Sequence, residues 1–432
     1  MTIEDIKRLN YIKYTAYRPL VHDTPSIFRC FIRYFIYLFI ICIKPKKGER
    51  RLNNILFIAP TINNKKSIQT ILDHLPQDKY VVWDDFSREL PYTRIYLKSL
   101  LHICLFVKFY FLSSKQDREL VRFFFMDYIT ACSTYQVMED LLINNRELRL
   151  IVFPNDHILV NRCLIEIAEK HQIKTLYVQH ASVTESFPPL RFDYAFLDGL
   201  ESFEKYKRIG NMRGQCYLSG SPRFDAFFLY KGGNKKYKVG IALNELDSVD
   251  KVLELCLFIK NCYTDKIIVR PHPGNYKTSF DENIFKNIGI DISDPRKDLS
   301  FVFLSNIQFM IANESGIHLD AALMGVPSLL FNFSDNELMD WYSYLKKGLI
   351  KACSSYDDVV NILESNYQLP ETVVRYYAAS FHSIMDGKVG EMIAIFIKKC
   401  IYESELSARN YIDSLMYKHG EYAEYRNNIT NA

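Results

Sequence analysis

The chain has 432 residues, more than one hydrophobic core usually supports, so two domains are expected. Its 48% apolar and 24% charged residues exclude a disordered or fibrous chain. A net charge of +4, with no long basic run on one face, argues against nucleic acid as a partner.

The 10 cysteines are scattered with no C-x-x-C pair, which points to reduced thiols in a cytosol rather than a zinc site or a disulfide framework. The 30 Tyr and 30 Phe are interleaved with Lys and Arg, a mixture suited to work beside a membrane or a glycan.

The opening MTIEDIKRLN lacks the basic-then-apolar order of a secretory signal. The next segment, SIFRCFIRYFIYLFIICIKPKKGERR, has an apolar centre from Tyr34 to Ile43, shorter than the roughly 20 residues a spanning helix needs. Arg29 and Arg33 stand on one side of it, and Lys44, Lys46, Lys47, Arg50 and Arg51 on the other. Two readings stand: an interfacial helix on anionic lipid, or an amphipathic helix packed on the protein's own core.

From there short apolar strands alternate with helical stretches. Strands are expected at NNILFIAP, KYVVWDD, LRLIVFPND and KTLYVQHAS, with long apolar-faced helices between the second and third. The alternation restarts with QCYLSGSPRFD, KVGIAL, DKIIVRPHP, GIDIS, IQFMIAN and PSLLFNF. Strands alternating with helices imply parallel pairing and doubly wound sheets. The expected division is an amphipathic segment over 1–50, an acceptor-side domain over 51–210, a nucleotide-donor domain over 211–385, and C-terminal helices over 386–432 returning toward the first.

In a doubly wound sheet, ligands bind outside the carboxyl ends of the strands. IIVRPHPGN ends a strand in Arg270, His272 and Pro273, and its prolines fix the backbone directions. An Arg beside a donor-form His suits a phosphate. Further on, IANESGIHLDAALMGVPSLLF places Glu314, Ser315 and Gly316 at a helix start, with Ser315 as expected N-cap and the first-turn amides as an anion site. Ser219 and Gly220, after a short strand expected at the head of the second domain, let backbone amides approach a phosphate. As alternatives, each is explained by a surface turn or a capped core helix.

This order of motifs, an HP strand end followed by a strand, a Ser at a helix start, an acidic-Ala pair and G-x-P, resembles bacterial transferases of the GT-B fold. Among them are sialyl-, polysialyl- and Kdo transferases and the CDP-glycerol glycerophosphotransferases of teichoic acid synthesis. The likeness runs over residues 174–333. It implies an α/β chain of two Rossmann-like domains facing each other across a cleft. His272 and Ser315 would contact the phosphate of a nucleotide-activated sugar donor. Asp320 stands where many such enzymes have a ribose-binding Glu, and its side chain is shorter. Gln179-His180 and the G-x-P-R-x-D of LSGSPRFDAF also resemble segments of surface-glycan enzymes.

The general base is expected among His180, Asp198 and Glu185, in that order. Asp198-Gly199 resembles the acidic-acidic-Gly motif of bacterial sialyltransferases, but Leu197 replaces its first acid. No D-x-D motif occupies a convincing loop, so neither a metal nor a cofactor is expected. The implied protein is a cytoplasmic glycosyltransferase, in contact with the inner face of the membrane, that elongates a capsule or lipopolysaccharide glycan. Its donor is a nucleotide sugar, with CMP favoured by the HP likeness, and its acceptor is a glycan or lipid-linked glycan. The alternatives are a CDP-glycerol-type polyol-phosphate transferase, a non-catalytic scaffold of an assembly complex, and an epimerase acting on a UDP-sugar.

Overall fold

The computed structural model describes residues 1–11, 13, 24–43, 52–274, 280–365 and 367–425. The basic residues Lys44, Lys46, Lys47, Arg50 and Arg51 lie outside them. Two compact units are present, the first comprising Met1–Leu197, Ser202–Arg223 and Gly390–Arg426, the second Asp198–Glu201 and Phe224–Val389. Both are α/β and Rossmann-like.

The first unit holds β1 (Ile55–Ile58), β2 (Tyr80–Trp83), β3 (Leu150–Phe153), β4 (Lys174–Val178), β5 (Tyr194–Leu197) and β6 (Gln215–Leu218). The second holds β7 (Tyr237–Ala242), β8 (Ile267–Arg270), β9 (Asp291–Ile292), β10 (Ile307–Ala312), β11 (Ser328–Phe331) and β12 (Lys351–Cys353). A C-terminal hairpin, β13 (Met416–His419) and β14 (Tyr422–Tyr425), returns to the first sheet.

The first sheet runs β13-β14-β6-β5-β4-β3-β1-β2, parallel except within the hairpin. The second runs β12-β11-β10-β7-β8-β9, parallel throughout. Their central strands β1, β3, β5 and β8 are buried at every position, because helices cover both faces of such sheets.

Two features differ from expectation. QCYL is β6, paired with β5 in the first sheet rather than opening the second. The C-terminal stretch is not all helical: after helices Val389–Tyr402 and Glu405–Leu415 it forms the hairpin, turning at Gly420 with φ +59°.

The N-terminal segment forms helix Ile27–Ile43, packed on the protein along one side only. Cys30, Tyr34 and Ile41 are buried on the first unit, while Phe28, Phe35 and Phe39 on its other side are exposed.

Candidate functional site

Each sheet has one place where the strand order reverses, and each reversal opens a crevice at the carboxyl ends. In the second unit it falls between β7 and β10. The loop after β7 carries Asn244, Glu245 and Asp247; the loop after β10 carries Asn313 to Gly316. Asp247 joins them, accepting from the Asn244 amide at 2.7 Å and from Asn313 Nδ2 at 2.8 Å. Burial raises the Asp247 pKa, while these two hydrogen bonds lower it.

His272 ends neighbouring β8 and is partly exposed. The Gly274 amide donates to its Nδ1 at 3.2 Å, so the neutral ring carries its proton on Nε2. Glu245 Oε1 stands 3.3 Å from the same Nδ1, a pairing that strengthens if the ring becomes doubly protonated. Pro273 and Gly274 are exposed beside it.

Arg270 differs from expectation. It is 9% exposed, its Nη1 donates to Ser293 Oγ at 2.9 Å, and its Nη2 donates to the Asp298 carbonyl at 2.8 Å. The guanidinium is turned to the loop after β9 instead of the mouth of β8. It positions that loop.

The turn after β10 also departs from the expected cap. Helix Ile317–Leu323 has Gly316 as its N-cap residue, and Ser315 Oγ accepts from the Ile317 amide at 3.4 Å. No atom lies within 4 Å of a Cβ placed on Gly316, so the backbone there is open. Glu314 is engaged within the protein: its carboxylate accepts from the Met339 amide at 3.0 Å and from the Trp341 amide, fixing that loop. Asp320 accepts from Ser300 Oγ at 3.3 Å, which directs it to helix Ser300–Ser305. Beneath the turn, His318 is fully buried, with Nε2 donating to the Asn313 carbonyl at 3.0 Å and Nδ1 against Ser328 Oγ.

In the first unit the strand order reverses between β1 and β3. Asn155, after β3, donates from Nδ2 to Asn64 Oδ1 at 2.8 Å across this point, and Asn161 Nδ2 donates to the Asn155 carbonyl at 2.7 Å. Next to Asn155, Asp156 is 0% exposed and neither of its carboxylate oxygens has an aligned hydrogen bond. His157 Nδ1 stands 3.0 Å from Asp156 Oδ1. Arg162, also buried, feels the Asp156 charge and has its Nε and Nη1 without partners. Buried polar atoms left unmatched at a strand end are what an ordered water or a polar ligand satisfies.

His180 faces this cluster from the end of β4, its ring centroid 5.9 Å from that of His157. Burial, and secondly the neighbouring His157, push its pKa down to about 4, and its ring is hydrogen-bonded to the Pro154 carbonyl. Nδ1 is buried without a protein partner. The loop is pinned from β6's end: Arg223 Nη1 donates to the His180 carbonyl at 3.3 Å, and Ser221 Oγ to the Gln179 carbonyl at 3.3 Å. Ser219 is buried, with Oγ donating to the Gly220 carbonyl at 2.8 Å, and Gly220 takes φ +74°, so these two residues shape the turn.

The other two base candidates differ from His180 in burial and partners. Glu185 is 75% exposed and paired with Arg208 at 3.5 Å. Asp198 is buried within the second unit, its carbonyl accepting from the Ala379 amide at 2.8 Å. A Cβ on Gly199 would meet the Tyr376 carbonyl oxygen at 2.5 Å, so close packing accounts for the glycine of the Asp-Gly pair.

Asn155, Asp156 and His157 were not singled out from sequence, whereas Arg223 is the arginine of the G-x-P-R-x-D segment. The signal was present: a Pro-Asn-Asp-His run directly after a fully apolar strand, which by spacing alone reads as a turn.

No family model matches the chain, and no curated protein matches it either. Among solved structures, a putative UDP-N-acetylglucosamine 2-epimerase from Listeria monocytogenes is similar at 13% identity and TM-score 0.47, covering 82% of this chain and 98% of its own. The UDP-GlcNAc 2-epimerase of Methanocaldococcus jannaschii aligns at 14% identity and TM-score 0.48, over 80% and 99% of the respective chains. The wall teichoic acid polymerase TagF aligns at 13% identity and TM-score 0.43, over 87% and 98%. Identities and scores of this size assign no activity.

Proposed function

We propose that the protein is a glycosyltransferase of the GT-B kind, moving a sugar from a nucleotide-activated donor to a hydroxyl of a surface glycan at the cytoplasmic face of a membrane. The observation that supports it best is His180. It is a largely buried imidazole at a strand end beside the first unit's crevice, kept neutral by its surroundings and held in place through its backbone by Arg223.

A neutral imidazole accepts a proton without first losing one. In this reading the acceptor oxygen forms a bond to the anomeric carbon as His180 takes the hydroxyl proton. The bond from that carbon to the donor phosphate breaks, and the nucleotide leaves with the electron pair. General-base help is typically worth about 10²–10⁴ in rate and is greatest when the base's pKa lies near the working pH, so a pKa of about 4 puts His180 at the low end.

On the second unit, His272 Nε2–H, the Ser315 hydroxyl and the open backbone at Gly316 are assigned to the donor phosphate, where they stabilise the departing charge. Arg270, Glu314 and Asp320 are assigned to holding the loops that present these groups. Nothing among the described residues selects the nucleotide base, so the donor is left as a class.

The test is incubation of purified protein with CMP-, CDP-, UDP- and GDP-activated donors and a glycan acceptor, with product analysis. Transfer that His180→Ala and His272→Ala each reduce by about 10² or more supports the reading. A phosphodiester product with CMP release selects the polyol-phosphate alternative. Isomerisation of donor incubated alone selects the epimerase. Unchanged glycan production in cells carrying both variants leaves a scaffold.

A further inference from the structure

We infer that the first unit carries a two-helix platform that docks on an anionic lipid surface, formed by helix Ile27–Ile43 together with the helical run Tyr92–Leu112. The inference is independent of the transferase reading.

On the first helix, Phe28, Ile32, Phe35, Ile36, Phe39 and Ile43 are all exposed, a spacing of i, i+4, i+7, i+8, i+11 and i+15 that marks one continuous face. Phe28 is 72% and Phe39 67% exposed. The second run repeats the pattern. Leu97, Leu101, Cys104, Phe111 and Leu112 are exposed at helical spacing, with Leu101 at 79% and Phe111 at 69%. Contiguous exposed faces of this kind on a folded protein mark contact with something apolar.

The two elements touch along their inner sides. Tyr34 stacks on Tyr96 with ring centroids 5.8 Å apart, and Phe31 meets Phe106 edge-on at 6.1 Å.

Charge selects lipid over a second copy of the chain. Arg29 and Arg33 on the first helix, and Lys108 and Lys115 on and just beyond the second run, are exposed, whereas Arg94 and Lys98 are already paired with Asp140. Two copies meeting through these faces would bring like charges together, whereas an anionic bilayer complements both.

The platform lies on the bilayer and does not cross it. The Tyr92–Leu112 run is long and apolar enough to span, with 33% of its apolar window buried. It is nevertheless interrupted by a 3-10 turn at Leu100–His102 and held from behind. Arg94 and Lys98 pair with Asp140 at 2.6 and 2.8 Å, and Tyr34 Oη is 2.6 Å from Ser99 Oγ. Insertion would strip these partners away and carry charge into hydrocarbon.

The test is cosedimentation of the full chain with vesicles of phosphatidylglycerol and phosphatidylcholine, and with phosphatidylcholine alone. Wild type should partition onto the mixed vesicles at least tenfold better than onto the neutral ones. Leu101→Asp with Phe111→Asp, and separately Phe35→Asp with Phe39→Asp, should each lower partitioning roughly tenfold or more. All four side chains are exposed, so both variants should keep the wild-type circular dichroism spectrum and thermal midpoint.

Arg29→Gln with Arg33→Gln should lower binding to mixed vesicles alone, by about fivefold per charge. Wild-type sedimentation by the Leu101/Phe111 variant overturns the second helix's part. Equal wild-type binding to both vesicle types overturns the anionic preference. Failure to bind either, with a dimer in light scattering that the variants convert to monomer, overturns the lipid in favour of self-association.

Discussion

Asn155 donates its side-chain amide to Asn64 at 2.8 Å, joining the loop after β3 to the helix after β1 across the reversal point of the first sheet. Both residues are buried, and Asn155 Oδ1 also accepts from Asn161 Nδ2 at 2.9 Å. Asn155→Ala removes both bonds and leaves two buried amides without these partners. A loss of about 1–3 kcal/mol in urea unfolding is expected, together with reduced transfer, because the strand-end loop beside His180 loses its anchor.

Stability should fall on mild acidification. Burial lowers the pKa of both His180 and His318 to about 4, against 6.5 for the unexposed-to-burial, unfolded side chain. Between these values the unfolded chain binds protons that the folded chain does not. The contribution is complete above pH 6.5 and is lost progressively as pH falls toward 4, on the order of 3 kcal/mol for each ring. Urea unfolding at a series of pH values should show this slope, and His318→Asn should remove roughly half of it.

Arg270 and His272 are two residues apart and should respond differently. Arg270→Ala leaves the Ser293 hydroxyl and the Asp298 carbonyl without their guanidinium, so a loss of about 2–3 kcal/mol is expected. His272→Ala, at a partly exposed ring, should change stability by less than about 0.5 kcal/mol and act on donor affinity instead. Denaturant midpoints together with donor KM separate the two.

The α/β class and the doubly wound sheets were legible because strand-ending prolines and glycines punctuate runs such as ILFIAP and IIVRPHP. The direction of Arg270 was not. Alternation tells inside from outside only where one face is wet, and β8 is buried at all four positions. The sheet to which QCYL belongs was equally hidden, since a four-residue apolar strand fits either sheet and its partner β14 comes from the far end of the chain. Among the candidate bases, the loop residue Glu185 and the strand-end residue Asp198 looked as eligible in sequence as His180. Burial and partners distinguish them from His180.

Gly199 tolerates no side chain. The Tyr376 carbonyl oxygen and the Tyr377 carbonyl carbon stand 2.5 and 2.7 Å from where a Cβ would sit, and backbone cannot swing aside as a side-chain tip can. Gly199→Ala should destabilise the protein by about 1–3 kcal/mol, read as a lowered thermal midpoint, whereas Asp198→Asn keeps the glycine and should be milder.

The parallel pairing of β14 with β6 has a consequence for synthesis. The ribosome delivers β7 to β12 before the hairpin that completes the first sheet exists, so the second unit has all its strands while the first still shows the edge of β6. Until Tyr425 arrives to donate to the Ser219 carbonyl, that open edge is a template for foreign strands. Nascent chains stalled ahead of residue 416 should therefore lean on chaperones more heavily than the finished protein does.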